Sequence, residues 1–431
     1  MPGVQQKMQF SFIHAADLHL DATFKGISRR AIHLDSHLKK AAATAFEKLV
    51  DLAVEREVAF VLIAGDTFDW REQSVHSQML LVKAAQRLEK RNISVFIVWG
   101  NHDPIEKLNL AVELPKNVIT FPCDRPETHF VKKDGEILCS VTGISHKGPK
   151  ENRNLASKIT GLPASNFNIA LLHANVGDTG HDNYAPCTLS DLKKATVDYW
   201  ALGHVHGKKI LSKAPYVVYS GNIQGLNPNE TGERGCFLVS VDSVARELLS
   251  MDFCPLDSVR WHTLEYDLKE TDRLDKLEEG LKKKLAVLEK QSQAGKHIPS
   301  AHLCRIFLKG HTPLFWHLQK EGAAEDLTEI LNEWLFESGS QVWIEKIKKS
   351  IRPLLDLKAR KQRDDLLGEV LKMTGSLRKN EKELSEAMKK CFAPMMSHRK
   401  LRRLLDDLPG GFDLELIDEV EGLLINMLEG D

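Results

Sequence analysis

Five short stretches carry side chains suited to holding metal ions. They are Asp17-Leu18-His19, Gly65-Asp66-Thr67-Phe68-Asp69, Gly100-Asn101-His102-Asp103, His173, and Gly203-His204-Val205-His206. The donors are carboxylates, an amide carbonyl and imidazoles, with no thiolate. That set favours Mn, Fe or Zn over Ca or Mg, with Mn as the expected ion. Asp66 offers two oxygens and is suited to bridge two ions. Asp17 and His19 stand two residues apart, as do His204 and His206; in an extended segment that spacing puts both side chains on one face. Two ions about 3.5–4 Å apart can generate a hydroxide and clamp the attacking and leaving oxygens of an in-line displacement. The chemistry expected is therefore phosphate-ester hydrolysis. His102 adds a proton carrier that works at neutral pH. Asp103, next in the chain, is expected to orient that imidazole or stabilise its charged form.

Each stretch has a plainer reading when taken alone. Gly-Asn-His-Asp fits a turn, because Asn and Asp accept left-handed backbone. Asp69 could cap a helix, and a lone His173 could be structural. Five such stretches in one chain, each directly after an apolar run, are better explained together.

Those apolar runs are the elements that must position the site. Phe10–Ala15, Ala59–Ala64, Ser94–Trp99, Asn168–Leu172 and Tyr199–Leu202 read as buried strands. Helical periodicity over Ser36–Glu57 and Ser74–Lys90 separates the first three. Strand, helix, strand, helix, strand argues for right-handed crossovers and an α/β core. In open α/β sheets, sites form outside the carboxyl ends of the strands, where all five stretches fall. Short runs at Val118–Phe121, His129–Val131, Ile137–Gly143, Tyr216–Ser220 and Cys236–Val241 extend the sheet. A long polar loop, Gly221 to Gly235, lies between the last two. His14, His33, His37, His76 and His146 lack ligand-like partners and read as core or surface residues.

The chain has 431 residues, with Lys+Arg 59 against Asp+Glu 60 and a net charge of -1. That length suggests two to three domains. The charge balance excludes a chain that traps nucleic acid by bulk positive charge; DNA contact would need a local basic face. Seven scattered cysteines form no CxxC pair, which argues for a reducing cytosol and against a disulfide framework or a zinc site. No signal peptide and no apolar run near the ~20 residues of a membrane span are visible, so a cytoplasmic protein without membrane attachment is expected.

The expected domains are a phosphate-ester-cleaving domain at 1–254, a small α+β capping domain at 255–352, and a helical region at 353–431. The second is read from strands at Arg260–Leu268, His302–Leu308 and Gln341–Ile347 with helices at Arg273–Lys290 and Glu325–Phe336. The third is read from helices at Leu354–Met373, Glu381–Lys390, His398–Leu405 and Leu414–Leu428, with Gly375, Pro394 and Pro409-Gly410-Gly411 as breaks.

The wording "IHAADLHLD", "IAGDTFDW", "VWGNHDP", "LLHANVG" and "WALGHVHGKKIL" resembles the calcineurin-like metallophosphoesterase superfamily. Within it, these motifs are similar to the SbcD-type DNA repair exonucleases, as is the loop "YSGNIQGLNPNETGERGC". The variable tail resembles the YhaO-type bacterial branch. The resemblance covers Phe10 to Val241. It implies a two-sheet α/β sandwich flanked by helices, and a manganese-dependent DNA nuclease. By that resemblance Asp17, His19, Asp66 and His206 hold the first metal, and Asp66, Asn101, His173 and His204 the second. His102 acts on the scissile phosphate, with Asp103 in support. It also implies an SbcC-like coiled-coil ATPase as partner and a possible homodimer.

Basic runs at Lys282–Lys284, Lys346–Lys349, Lys358–Arg363 and His398–Arg403 are either solvated helix faces or part of a duplex-binding groove. Lys25 and Arg29-Arg30 are further candidate phosphate contacts. Leucine-rich faces after Leu401 either pack internally or receive a partner helix. Three functions are open on the sequence: a DNA exo- or endonuclease subunit, a phosphodiesterase or phosphatase for a small nucleotide-like molecule, and a DNA-end-binding scaffold.

Overall fold

The computed structural model describes residues 8–22, 24 and 34–354 apart from 73, 134, 164, 178–183, 270 and 295–296, then 361–380 and scattered helical positions from 383 to 427. It divides into two compact units: Met1–His262 with Ser292–Leu303, and Thr263–Gln291 with Cys304–Asp431.

In chain order the first unit contributes strands β1 (Gln9–Ala15), β2 (Phe60–Ala64), β3 (Ser94–Val98), β4 (Val118–Thr120), β5 (Glu127–Lys133) and β6 (Glu136–Ile144). Then come β7 (Asn168–His173), β8 (Tyr199–Gly203), β9 (Lys209–Lys213), β10 (Tyr216–Tyr219), β11 (Gly235–Asp242) and β12 (Glu247–Pro255). Its helices are α1 (Asp35–Glu55), α2 (Val75–Glu89) and α3 (Leu189–Lys194). The strands form two six-stranded sheets, ordered β12-β11-β1-β2-β3-β4 and β5-β6-β7-β8-β10-β9. In the first sheet β1 to β4 run parallel, and β11 and β12 join antiparallel. In the second, β6, β7, β8 and β10 run parallel between antiparallel edges β5 and β9.

Burial explains the composition of the central strands. A parallel strand covered on both faces must be apolar throughout; all five residues of β2, Phe-Val-Leu-Ile-Ala, are buried. Phe12, Phe60, Phe96, Phe121, Phe167 and Tyr199 fill the layer between the sheets, with the rings of Phe12 and Phe60 stacked at 5.2 Å. Outside the first sheet, Leu49 and Ala53 of α1 and Leu81 and Leu88 of α2 pack on Ile13, Ile63 and Ile97. Outside the second, Leu192 of α3 packs with Trp200 and Leu202. The Ser74 hydroxyl accepts from Ser77 N at 3.1 Å and starts α2. The result is a mixed α/β sandwich of two sheets with flanking helices, as expected from the sequence.

The second unit has its core on a three-stranded sheet, β13 (Val259–Asp267), β14 (Ala301–Thr312) and β15 (Val342–Pro353), in that order. Its helices are α4 (Leu274–Ser292), α5 (Phe315–Gln319), α6 (Ala323–Glu337) and α7 (Leu366–Leu377). Leu277, Leu281 and Leu285 of α4 and Leu331 and Leu335 of α6 meet Ile306, Leu308, Ile344 and Ile347.

Of the expected helix over Leu354–Met373, residues 355–360 lie outside the described residues, Lys361 is helical, and a described helix covers Leu366 onward. β15 runs on to Pro353, and α7 starts at Leu366 because Asp365 caps it, accepting from Gly368 N at 2.9 Å. Gly375, expected as a break, lies inside α7. Leu367 and Leu371 bury into the second unit's core. Glu421, itself buried, accepts from Thr374 and Arg378, so the final helical stretch packs on α7. Described positions within Glu381–Lys390 and Leu414–Leu428 are helical, while His398–Leu405 lies outside the described residues. No described helix is long and apolar enough to cross a membrane. All seven cysteines are free.

Candidate metal centre

The parallel direction of the central strands puts their carboxyl ends at one edge of the sandwich. Asp17 follows β1, Asp66 follows β2, Asn101 follows β3, His173 ends β7, and His204 follows β8. Because β2 and β3 face β7, side chains from both sheets reach one place.

Donor atoms of Asp17, His19 and His206 lie within 4.8 Å of one another, and so do those of Asp17, Asp66 and His173. Asp17 is thus common to both groups. Asp66 also faces both, since its Oδ2 lies 4.0 Å from His19 Nε2 and 3.4 Å from His173 Nε2. Asn101 Oδ1 lies 2.9 Å from His173 Nε2. The His204 ring packs edge-on against the His173 ring at 5.3 Å, and its backbone N–H donates to Asp17 Oδ1 at 3.1 Å. His204 and His206 are therefore parted, one beside each group, rather than sharing one face.

The backbone reaches this arrangement by an unexpected route. Asp17, His19 and Asp66 have φ of 51°, 42° and 51°, and His204 has 100°. These are left-handed positions that non-glycine residues rarely adopt and that cost of order 1–3 kcal/mol each. Asp17 and His19 converge through this turn, not through an extended segment. Backbone bonds from Asp17 N to Gly65 O and from His19 N to Asp66 O, both 3.0 Å, lock the two loops together. Glycine is required before two of the ligands. A Cβ at Gly65, which has φ of 90°, would clash with the His173 side chain, Nδ1 foremost; one at Gly100 would overlap the Asp66 carboxylate.

The donor set fits divalent ions. His19 Nε2 is buried with no hydrogen-bond partner. His173 Nδ1 donates to Ala64 O at 2.9 Å, which leaves a lone pair on Nε2 facing the Asn101 carbonyl oxygen. An imidazole lone pair beside an amide side chain is a pair of ligand atoms that one cation can share. Burial holds the His19 and His173 pKa values well below normal, so both rings are neutral and able to ligate; neighbouring histidines add to the effect. Burial pushes Asp17 up to about 7, against the nearby His206 and with the Asp66 charge. Burial likewise raises Asp66. His206 shifts the other way. Burial lowers it, but the Glu230 hydrogen bond and Asp17 outweigh that and lift it to about 9. Buried carboxylates among imidazoles are the electrostatic setting that a cation stabilises.

His102 is the open member of the set. Its side chain is 43% exposed, enough to meet a substrate, and its ring lies edge-on to His19 at 5.0 Å. Its backbone N–H donates to Asp66 Oδ1 at 2.9 Å. The carboxylate facing its Nδ1 is Asp69, at 3.4 Å. Asp103 does not take the orienting place expected for it. It is fully buried and accepts from Thr67 N at 2.6 Å, Phe68 N at 3.1 Å and Gly100 N at 2.7 Å. It therefore braces the loop after β2 against the loop after β3. Asp69 does not cap α2, which Ser74 does.

The Gly221–Gly235 loop stands out in the sequence, yet nothing there gives any one of its residues a role. Glu230 in this loop holds His206 Nδ1 at 2.7 Å. Only the two acids of that polar loop, Glu230 and Glu233, could have drawn attention to it. Of the other histidines, His14 and His146 are core residues and His37 and His76 are exposed; His33 lies outside the described residues. Lys25, Arg29 and Arg30 also lie outside them.

This sandwich, with metal donors gathered at one edge, defines a metal-dependent phosphoesterase. Residues 10–208 match the calcineurin-like phosphoesterase family, and residues 261–352 match the middle domain of the metallophosphoesterase YhaO. The chain belongs to the calcineurin-like metallophosphoesterases, in the branch that carries the YhaO middle domain. It is 33% identical over 335 residues to the uncharacterized metallophosphoesterase YhaO of Bacillus subtilis, covering 77% of this chain and 80% of that one. It is 27% identical to the DNA double-strand break repair protein Mre11 of Archaeoglobus fulgidus, over 66% of each chain. It is 22% identical to a component of the nuclease SbcCD of Escherichia coli K12, over 51% of this chain and 62% of that one.

Proposed function

We propose that this phosphoesterase hydrolyses phosphodiester bonds in DNA, as an exo- or endonuclease subunit in DNA repair. The observation that carries the reading is the pairing of two donor groups, meeting at Asp17 and faced by Asp66, with the half-exposed imidazole of His102. The Mre11 and SbcCD relatives, named for break repair and nuclease activity, supply the substrate class.

The expected ions are two Mn²⁺; when bound they supply Lewis acidity at the phosphate and activation of a water nucleophile. Asp17, His19, Asp66 and His206 would hold one, and Asp66, Asn101, His173 and His204 the other, with Asp66 shared between them. His102 exchanges a proton at the leaving oxygen, and Asp69 orients its ring. An SbcC-like coiled-coil ATPase is the proposed partner, and a homodimer the proposed assembly, in the cytoplasm.

A second reading, a phosphodiesterase for a small nucleotide-like ester, is favoured by the state of the basic runs. Lys282 pairs with Glu278 and Lys283 with Glu279; Lys284 donates to Glu265 O and Lys349 to Leu318 O. These cations serve their own fold first. Lys358 and His398–Arg403 lie outside the described residues.

A cleavage assay with Mn²⁺ and end-labelled duplex and single strands, run beside mononucleotide esters, separates the two. Cutting of DNA that is lost in Asp66→Ala and His102→Ala is the expected result. Rapid turnover of mononucleotide esters with no DNA binding or cutting would replace the nuclease reading with the second.

A further inference from the structure

We infer that Glu230 is the positioning residue for His206, fixing its ring so that Nδ1–H points away from the centre and Nε2 alone faces Asp17 and His19. The inference rests on the metal-centre reading above and names a part of it that the ligands do not include.

Glu230 lies in the 221–235 loop between β10 and β11 and is 7% exposed. Its Oε1 receives His206 Nδ1 at 2.7 Å and also the Asn227 amide. Its Oε2 receives Asn222 Nδ2 at 2.9 Å and Leu226 N at 2.7 Å. Four donors surround the two oxygens. An ionised carboxylate only accepts, so the ring nitrogen against it carries hydrogen. With hydrogen held on Nδ1, Nε2 is the ring atom that a bound metal would take, in place of the proton that nitrogen otherwise carries.

The same loop holds the other end of His206. Asn222 N donates to His206 O at 3.2 Å, and Arg234 Nη1 donates to that oxygen as well. Arg234 Nη1 also donates to Asn222 Oδ1 at 3.2 Å. Backbone bonds alone would serve loop folding. The bond to the ring serves ring orientation, and it is the one that reaches the centre. Glutamine cannot replace Glu230, because its NH₂ would face donors. Aspartate keeps the charge but, one methylene shorter, cannot reach the His206 ring and its own loop together.

The test uses the full chain, stripped with chelator, and titration calorimetry with Mn²⁺ on native protein, Glu230→Gln and Glu230→Asp. The native chain is expected to take two ions. Both variants should keep one at native affinity and bind the other 10–100-fold more weakly. Nitrogen-15 NMR of histidine-labelled, Zn²⁺-loaded protein should show His206 as the single Nδ1–H tautomer in the native chain and a mixture in Glu230→Asp. Native affinity at both sites with an unchanged tautomer would overturn the inference. So would equal loss of both ions with a lowered melting temperature in both variants, which would assign Glu230 to folding alone. A native chain that takes up no divalent ion would remove the metal-centre reading itself.

Discussion

His173 Nδ1 donates to the carbonyl oxygen of Ala64 at 2.9 Å, so the end of β2 in one sheet sets the ring of a ligand at the end of β7 in the other. The two sheets are thereby registered to each other at the centre itself. The glycines between these strand ends exist because the approach leaves no room for a Cβ.

Gly100→Ala tests that approach. The added methyl overlaps the Asp66 carboxylate and comes within 2.9 Å of the His173 ring. Overpacking of this kind costs roughly 1–3 kcal/mol. The chain should remain folded by circular dichroism, melt several degrees lower, and bind Mn²⁺ with reduced stoichiometry in equilibrium dialysis. Unchanged metal content would show that the strand ends can part.

His102→Ala should lower turnover by about 10²–10⁴-fold, the usual range for a general acid–base group, with metal content intact. Asp69→Asn should give a smaller loss of turnover, because its carboxylate faces the His102 ring rather than taking the proton-transfer role itself. Equal turnover in all three proteins would remove His102 from the reaction.

Asp103→Ala should be a folding defect rather than a catalytic one. It strands the N–H groups of Thr67, Phe68 and Gly100 without their acceptor. A buried unsatisfied donor costs about 1–3 kcal/mol, so a loss of about 3 kcal/mol or more is expected in urea denaturation. Normal stability with selectively lost turnover would return Asp103 to the role expected from its place beside His102.

Acid should destabilise the sandwich through His14. Its Nδ1 lies 3.0 Å from Tyr199 Oη and its Nε2 3.2 Å from Leu202 O, and burial lowers its pKa to about 3 against the Leu202 contact. The unfolded chain takes up a proton near 6.5 that the folded chain refuses. The stability tied to neutral His14 is therefore full above pH 6.5 and falls steadily as pH drops towards 3. The slope approaches about 1.4 kcal/mol per pH unit. In denaturation series at pH 7, 6 and 5, His14→Gln should show a shallower loss by about one proton. Parallel slopes would show that His14 is protonated in the fold.

Much of the site is legible in the sequence because each ligand stretch follows an apolar strand, and parallel strands end at one edge. The route between neighbours is not. Spacing suggests extended pairs, whereas Asp17, His19 and His204 sit at positive φ, which ligand identity alone does not reveal. Adjacency to His102 suggests a supporting role for Asp103, but the turn directs its carboxylate to backbone N–H groups two loops deep. β12 escapes notice because only part of its Glu-Leu-Leu-Ser-Met-Asp-Phe-Cys-Pro sequence is covered, as befits an edge strand. β9 begins and ends on exposed lysines. Glu230 is hidden because a polar loop shows its composition but not which of its acids is buried.

The bond from His173 to Ala64 has one more consequence. A centre whose donors come from both sheets can form only after the sheets have met, so ion uptake during refolding is a clock for their docking. Mixing unfolded chain with Mn²⁺ and a fluorescent metal indicator would time that event directly, and the signal should lag the burial of Tyr199 and never precede it.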